Sequence, residues 1–215
     1  NKTTSQFLDP IVENPNVIEI NKLPARSSFF PYESIDLASC SEMEKSSRFI
    51  SLNGKWFFKW SKSPKLRPKD FYKNEFKVDK WDKLSVPSNW QFHTDDYPIY
   101  TNIIYPYEIN PPFMPKDYNP IGIYHKQFKI DPKWKSKEIF IHFGGVNSAF
   151  YLWINGKKVG YSEGSKTPVE FKITKYLKKG KNTIMVQVIR WSDGTYIEDQ
   201  DFWRLSGIER DVFLY

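Results

Sequence analysis

Asn155-Gly156 stands between two runs of alternating apolar residues, Phe150, Leu152 and Ile154 before it and Val159 and Tyr161 after it. Side chains alternate faces along a strand, and Asn-Gly supplies the positive φ angles of a type I′ turn, so this stretch commits the chain to a β-hairpin. The same period of two recurs elsewhere. Residues 54–60 put Trp56, Phe58 and Trp60 on one side, residues 138–143 alternate Ile139, Ile141 and Phe143, and residues 169–173 alternate Val169, Phe171 and Ile173. Residues 183–189 are apolar on both faces, the mark of a strand central in its sheet. Residues 176–182 read as a short turn of helix closed by Gly180. No amphipathic helix of ordinary length interrupts the pattern. Roughly seven to nine short strands about ten residues apart predict an all-β fold, a β-sandwich of the jelly-roll type.

Two regions depart from the strand pattern. Residues 1–48 are rich in Pro, Ser and Asn and carry only isolated apolar residues, which predicts an extended leader wrapped over a surface. Residues 49–215 then form the sandwich domain. Inside it, residues 86–120 contain seven prolines. Proline fixes φ and biases the preceding residue toward extended backbone, so this is a stiff connection, not a central strand. A connection that long is usually functional or bound to a partner.

Composition removes several function classes. The 32 basic residues against 25 acidic give +7, but the lysines are scattered, with short clusters such as Lys157-Lys158. No nucleic-acid-binding motif accompanies them, so they read as a solvated basic surface. Cys40 is the single cysteine, which excludes an internal disulfide and a Cys/His zinc site. No apolar run approaches the roughly 18–20 residues of a membrane span. The first residues form no hydrophobic signal core and lack an initiator Met. A trimmed or mature soluble chain is expected, cytoplasmic or periplasmic. The 13 Tyr, 17 Phe and 8 Trp mostly serve to fill the space between sheets.

The densest chemistry lies in residues 191–208, where Asp193, Glu198, Asp199 and Asp201 share a short stretch with Trp191, Trp203 and Arg204. Carboxylates accept hydrogen bonds from hydroxyls, and aromatic rings cover the C–H faces of a pyranose, so this mixture suits a sugar site. Asn102 in the proline-rich connection can both donate and accept toward a hydroxyl. Asp193 reads as the residue of an Asp-Gly turn, and Glu198 and Asp199 as structural acceptors or partners of Arg204 or Arg210. A self-contained glycosidase needs two carboxyls facing each other roughly 5–9.5 Å apart. Acids one to three residues apart on one loop do not flank a sugar from opposite sides. His125 and His142 fall in strands as wall or core residues, whereas His93 lies in the connection and can approach a ligand.

The blocks VPSNWQ (86–91), PIYTN (98–102), NPPF (110–113), GVNSAF (145–150), NGKKVGYS (155–162), RWSDGTYIEDQDFWR (190–204) and SGIERDV (206–212) occur in this order. With ENPNV (13–17) and SLNGKW (51–56), they resemble the N-terminal domain of a glycoside hydrolase family 2 β-galactosidase of the large bacterial type. That resemblance implies a galactose-binding-domain-like jelly roll and a parent enzyme that hydrolyses terminal non-reducing β-D-galactose residues, lactose among them, with retention. It implies that Asn102 contacts substrate and that Asp201 contacts the galactosyl hydroxyls and a sodium ion. The glutamate acid/base, the glutamate nucleophile and the ligands of a magnesium ion would lie outside this chain, on a catalytic TIM barrel. The piece is then expected to be inactive by itself, and residues 1–48 to support subunit contacts of a homo-oligomer. The rival reading is a stand-alone carbohydrate-binding module without catalysis.

Overall fold

The computed structural model describes residues 8–198 and 201–215. Nine strands of three residues or more occur among them: β1 (Gly54–Ser61), β2 (Asp82–Val86), β3 (Ile121–Lys129), β4 (Phe140–Phe143), β5 (Ala149–Ile154), β6 (Lys157–Ser162), β7 (Val169–Lys172), β8 (Lys181–Ile189) and β9 (Val212–Leu214). The larger sheet runs β6-β5-β8-β3-β1-β2, with the two-residue strand Glu19–Ile20 added outside β6. The smaller runs β7-β4-β9 and ends on Ile50–Ser51. Neighbours in both sheets pair antiparallel, and the sheets face one another as the sandwich that the strand period predicts.

The alternation decides which face each residue buries. Trp56 and Phe58 of β1, Tyr124 of β3, Phe150 and Leu152 of β5, and Ile184, Val186 and Val188 of β8 point inward. They meet Ile141, Phe143, Phe171, Val212 and Leu214 from the smaller sheet. A fully buried side chain of this kind stabilises by about 1.5–3 kcal/mol relative to exposure. β8 lies between β5 and β3, as its two-faced apolar pattern requires. Its outward residues Met185 and Ile189 join a second cluster with Tyr151, Trp153 and Tyr161. Val12 from the leader, with Phe71 and Val78, covers that cluster.

At the β5–β6 hairpin, Asn155 and Gly156 adopt φ of 49° and 76°, the signature of the predicted turn. Residues 176–182 differ from expectation. The helical turn there is a 3-10 turn at Thr174–Tyr176, and Leu177 is already extended. The Asn182 amide closes the segment instead, its Oδ1 accepting from the Lys178 amide at 2.9 Å and its Nδ2 donating to the Lys178 carbonyl at 3.0 Å. A side-chain amide that satisfies the loop's backbone removes the need for helical bonds. One α-helix occurs among the described residues, Ile35–Cys40, and it is capped by Ser34. It has no buried face, so no apolar period announces it. No helix among the described residues is long and apolar enough to cross a membrane.

The remaining leader lies against the sandwich. Ile20 pairs with Tyr161, the Leu23 amide donates to the Glu170 carbonyl at 2.9 Å, and Arg26 reaches the Glu170 carboxylate at 2.8 Å. Gly160 is where leader, β6 and the opposite sheet come closest. A Cβ there would stand 2.3 Å from the Ile20 carbonyl oxygen and 2.4 Å from a ring carbon of Phe171. Overpacking typically costs about 1–3 kcal/mol, so Gly160→Ala is expected to lower Tm by roughly 2–10 °C in a thermal melt. An unchanged Tm would show that the leader is not seated on β6.

Candidate functional site

The proline-rich connection is fastened to the sandwich by buried polar bonds. Arg190 follows the last residue of β8, and its guanidinium forms an ion pair with Asp96 in which both side chains are fully buried. Asp96 Oδ2 also accepts from Trp90 Nε1 at 2.7 Å and Gln91 Nε2 at 2.9 Å, and Oδ1 accepts from the Tyr118 hydroxyl. Arg190 donates onward to the Tyr97 carbonyl at 2.9 Å and the Arg204 carbonyl at 3.4 Å. Burial pushes the Arg190 pKa down and the Asp96 charge opposes that shift. Near it, Ser88–Asn89 and Val146–Asn147 pair on either side of Gly207–Ile208. Gly207 sits at φ 140° with the Ser88 carbonyl oxygen 2.6 Å from where a Cβ would be, so glycine is required.

On this base the two chemically dense segments meet. Ile99–Tyr100 pairs antiparallel with Trp203–Arg204, Tyr100 opposite Trp203. The two rings lie 5.5 Å apart at 51°, each more than half exposed. The Tyr100 hydroxyl donates to Asp201 Oδ1. Asp201 is exposed, and so is Asn102, two residues beyond Tyr100 at the start of a turn that the Thr101 hydroxyl closes on the Ile104 carbonyl. Asn102 and Asp201, about a hundred residues apart in sequence, thus both lie exposed within two residues of this pairing. The apolar residues Ile103, Ile104 and Ile197 are 81%, 76% and 87% exposed. Tyr105 ties their loops together through the Tyr196 carbonyl.

Two other acids of the motif bond the chain around them. Asp193 Oδ1 accepts from the Gly194 amide at 3.1 Å, the Asp-Gly turn that the sequence predicts. Glu198 accepts from the Ser165 amide at 2.7 Å and from its hydroxyl, a structural role. Asp199 lies outside the described residues. Glu163, absent from the sequence-based candidates, is buried beside Asp193 and accepts from the Tyr161 hydroxyl. Burial first, then the neighbouring Asp193 and Glu198 charges, pushes its carboxyl up to about 8. Burial also raises Asp193.

His93 is exposed, after the short turn Trp90–Phe92. His125 is buried beside the Phe57 ring, its pKa lowered by burial, and His142 contacts Glu170 at 2.9 Å while stacking on Phe213. The two strand histidines are therefore wall and core residues, as expected. Among the described residues no group of three or more His, Cys, Asp and Glu could hold a metal ion. Asp96, Arg190 and Tyr100 escaped the sequence reading. The available signals were an acid inside an aromatic loop and an arginine directly after an apolar strand.

Residues 49–215 match the sugar binding domain of the glycosyl hydrolases family 2. A β-galactosidase of Priestia megaterium is 48% identical over 206 residues, which cover 94% of this chain and 20% of that protein. The chain thus spans a fifth of this relative's length. A β-glucuronidase 2 variant of Bacteroides uniformis has a similar structure at TM-score 0.59 and 26% identity, over 77% of this chain and 17% of that one. A β-glycosidase from Bacteroides vulgatus gives TM-score 0.55 at 27% identity, over 78% of this chain and 20% of that one.

Two outcomes follow from the geometry. Removing one partner of a buried ion pair typically costs about 3–5 kcal/mol, because the other charge stays buried. Asp96→Ala is therefore expected to lose that much stability in urea unfolding, and a loss below about 1 kcal/mol would show the pair to be solvated. The second concerns Glu163, whose ordinary carboxyl value is 4.5 and whose folded value is about 8. Between these values the folded chain keeps a proton that the unfolded chain has released, so stability falls as pH rises. Wild-type Tm should drop relative to Glu163→Gln from about pH 5 to about pH 8 and then run parallel to it. The melts need a chelator, because cations compete with protons for carboxyls. Parallel curves throughout would mean that Glu163 is ionised in the fold.

Proposed function

The chain belongs to the glycosyl hydrolases family 2 as its sugar binding domain, and from that we propose that it forms one wall of the galactose site of a β-galactosidase. The observation that supports this reading is the pairing of Ile99–Tyr100 with Trp203–Arg204, since exposed Asn102 and Asp201 each lie within two residues of it. An amide and a carboxylate offer donors and acceptors to adjacent sugar hydroxyls, and the exposed rings of Tyr100 and Trp203 offer faces for C–H groups. The 48% identity to the Priestia megaterium β-galactosidase supports galactose as the sugar.

The parent enzyme hydrolyses terminal β-D-galactosyl units of the lactose type by a retaining mechanism. Its acid/base and nucleophile glutamates, and its magnesium ligands, come from outside this chain. Within the motif, Glu198 is engaged by Ser165 and Asp201 by Tyr100, so these two acids serve different places and do not form a catalytic pair. The exposed Ile103, Ile104 and Ile197 are the surface that the parent's catalytic domain covers. The parent is a homo-oligomer, with residues 1–48 near its subunit contacts.

A sodium ion fits Asp201 in chemistry. A monovalent cation takes oxygen ligands, and one carboxylate with neutral oxygens such as a tyrosine hydroxyl suits it better than a cage of acids. Bound there, the ion would supply a positive charge to orient a galactosyl hydroxyl. Asp201 would hold the ion and Asn102 would bond the sugar.

In the parent enzyme, Asn102→Ala is expected to reduce kcat/KM by on the order of 2- to 10-fold per hydrogen bond lost, with Tm unchanged. Asp201→Asn is expected to lower kcat severely and abolish sodium activation. Unchanged kinetics with a lowered Tm would make Asn102 a turn residue, and persisting sodium dependence would remove Asp201 from the site. The isolated chain should bind lactose too weakly for calorimetric titration. Measurable affinity there would favour a stand-alone carbohydrate-binding module.

A further inference from the structure

We propose that Tyr100 is a positioning residue that fixes which oxygen of Asp201 is offered to the sugar and its cation. The inference rests on the reading of Asp201 given above. A carboxylate on an exposed loop rotates freely unless something holds one oxygen, and freedom at a contact weakens it through the entropy lost on binding. The Tyr100 hydroxyl donates to Oδ1 of Asp201, which leaves Oδ2 directed away from that bond. A hydrogen bond to an ionised acceptor is about twice as strong as a neutral one.

Tyr100 can do this because it is itself held. Its backbone pairs with Trp203, two residues past Asp201, so the donor and its acceptor sit on adjoining strands in a fixed register. Its ring leans on the Trp203 ring at 5.5 Å, which limits the swing of the phenol. The adjacent Ile99 is opposite Arg204, whose carbonyl accepts from the buried Arg190. The hydroxyl is thus tied to the sandwich through Ile99, Arg204 and Arg190. The exposure of both side chains leaves the pair open to a ligand.

The test uses the full-length parent enzyme. Tyr100→Phe keeps the ring against Trp203 and removes only the hydroxyl. The sodium concentration at half-saturation is read from sodium-NMR line broadening and, separately, from galactoside turnover. It should rise roughly tenfold or more, the loss of one hydrogen bond to a charged group, while Tm stays unchanged. Asp201→Asn, run in parallel, should abolish the sodium response. A Tyr100→Phe enzyme that matches the wild type while Asp201→Asn is impaired overturns the role of Tyr100, and so does a variant that merely melts lower. If Asp201→Asn is silent as well, the reading of Asp201 falls and takes the role of Tyr100 with it.

Discussion

The Asp96–Arg190 ion pair decides where the long connection of this sandwich can lie. Both side chains are fully buried, and a buried charge is tolerated only when paired and hydrogen-bonded. Asp96 meets that condition with Trp90, Gln91 and Tyr118 besides Arg190. All three come from the same connection, so a single carboxylate gathers the segment around itself. Arg190 is continuous with β8, the central strand of the larger sheet, and it brings that rigidity to the carbonyls of Tyr97 and Arg204. The desolvation that makes such a pair weak as net stabilisation makes it strong as a locator, since separating the two would leave a buried charge uncompensated.

From that anchor outward, order is transferred by short backbone pairings. Ser88–Asn89, Gly207–Ile208 and Val146–Asn147 form a small ladder at the sandwich end, and Ile99–Tyr100 with Trp203–Arg204 forms the next. Two-residue strands are marginal by themselves and hold only because each is flanked by something already fixed. Gln91 closes one gap by accepting from the Ser206 amide, and Asn119 closes another by bonding both backbone groups of Trp191. The result is a gradient from a fully desolvated base to a wet rim. A binding surface benefits from that arrangement, since side chains presented on fixed backbone lose less entropy when a ligand arrives.

The sandwich was legible in the sequence because its residues obey a local rule. Asn155-Gly156 between alternating runs can be little else than a hairpin, and the two apolar faces of residues 183–189 fit only a strand covered on both sides. The closure of residues 178–182 was not legible, because the Asn182 side chain bonds backbone that no period describes. Helix Ile35–Cys40 was hidden for the opposite reason: it buries nothing, and a cap such as Ser34 is too weak a signal without an apolar face. At the site, Asn102 and Asp201 were named from composition and resemblance. The group that connects them, Tyr100, could not be named, since strand pairing across about a hundred residues is a property of the fold. Asp96 looked like any loop acid until its burial was known.

Environment then sorts the carboxylates of one motif into different states. Glu163 and Asp193 are buried together, and desolvation drives both toward the neutral form. A neutral carboxyl cannot hold a cation, but it can bridge to a neighbouring acid and lock a turn. Glu198 is satisfied by a backbone amide and a hydroxyl, the pattern of a structural acceptor. Asp201 is exposed beside a phenol that donates to one of its oxygens, which leaves acceptor capacity over. The inward acids therefore fasten the turn at Asp193–Tyr196, and that turn carries the chain toward the outward one. Four acids in one stretch of loop look interchangeable in the sequence, yet burial leaves Asp201 as the described one suited to meet a hydroxyl or a cation from solution.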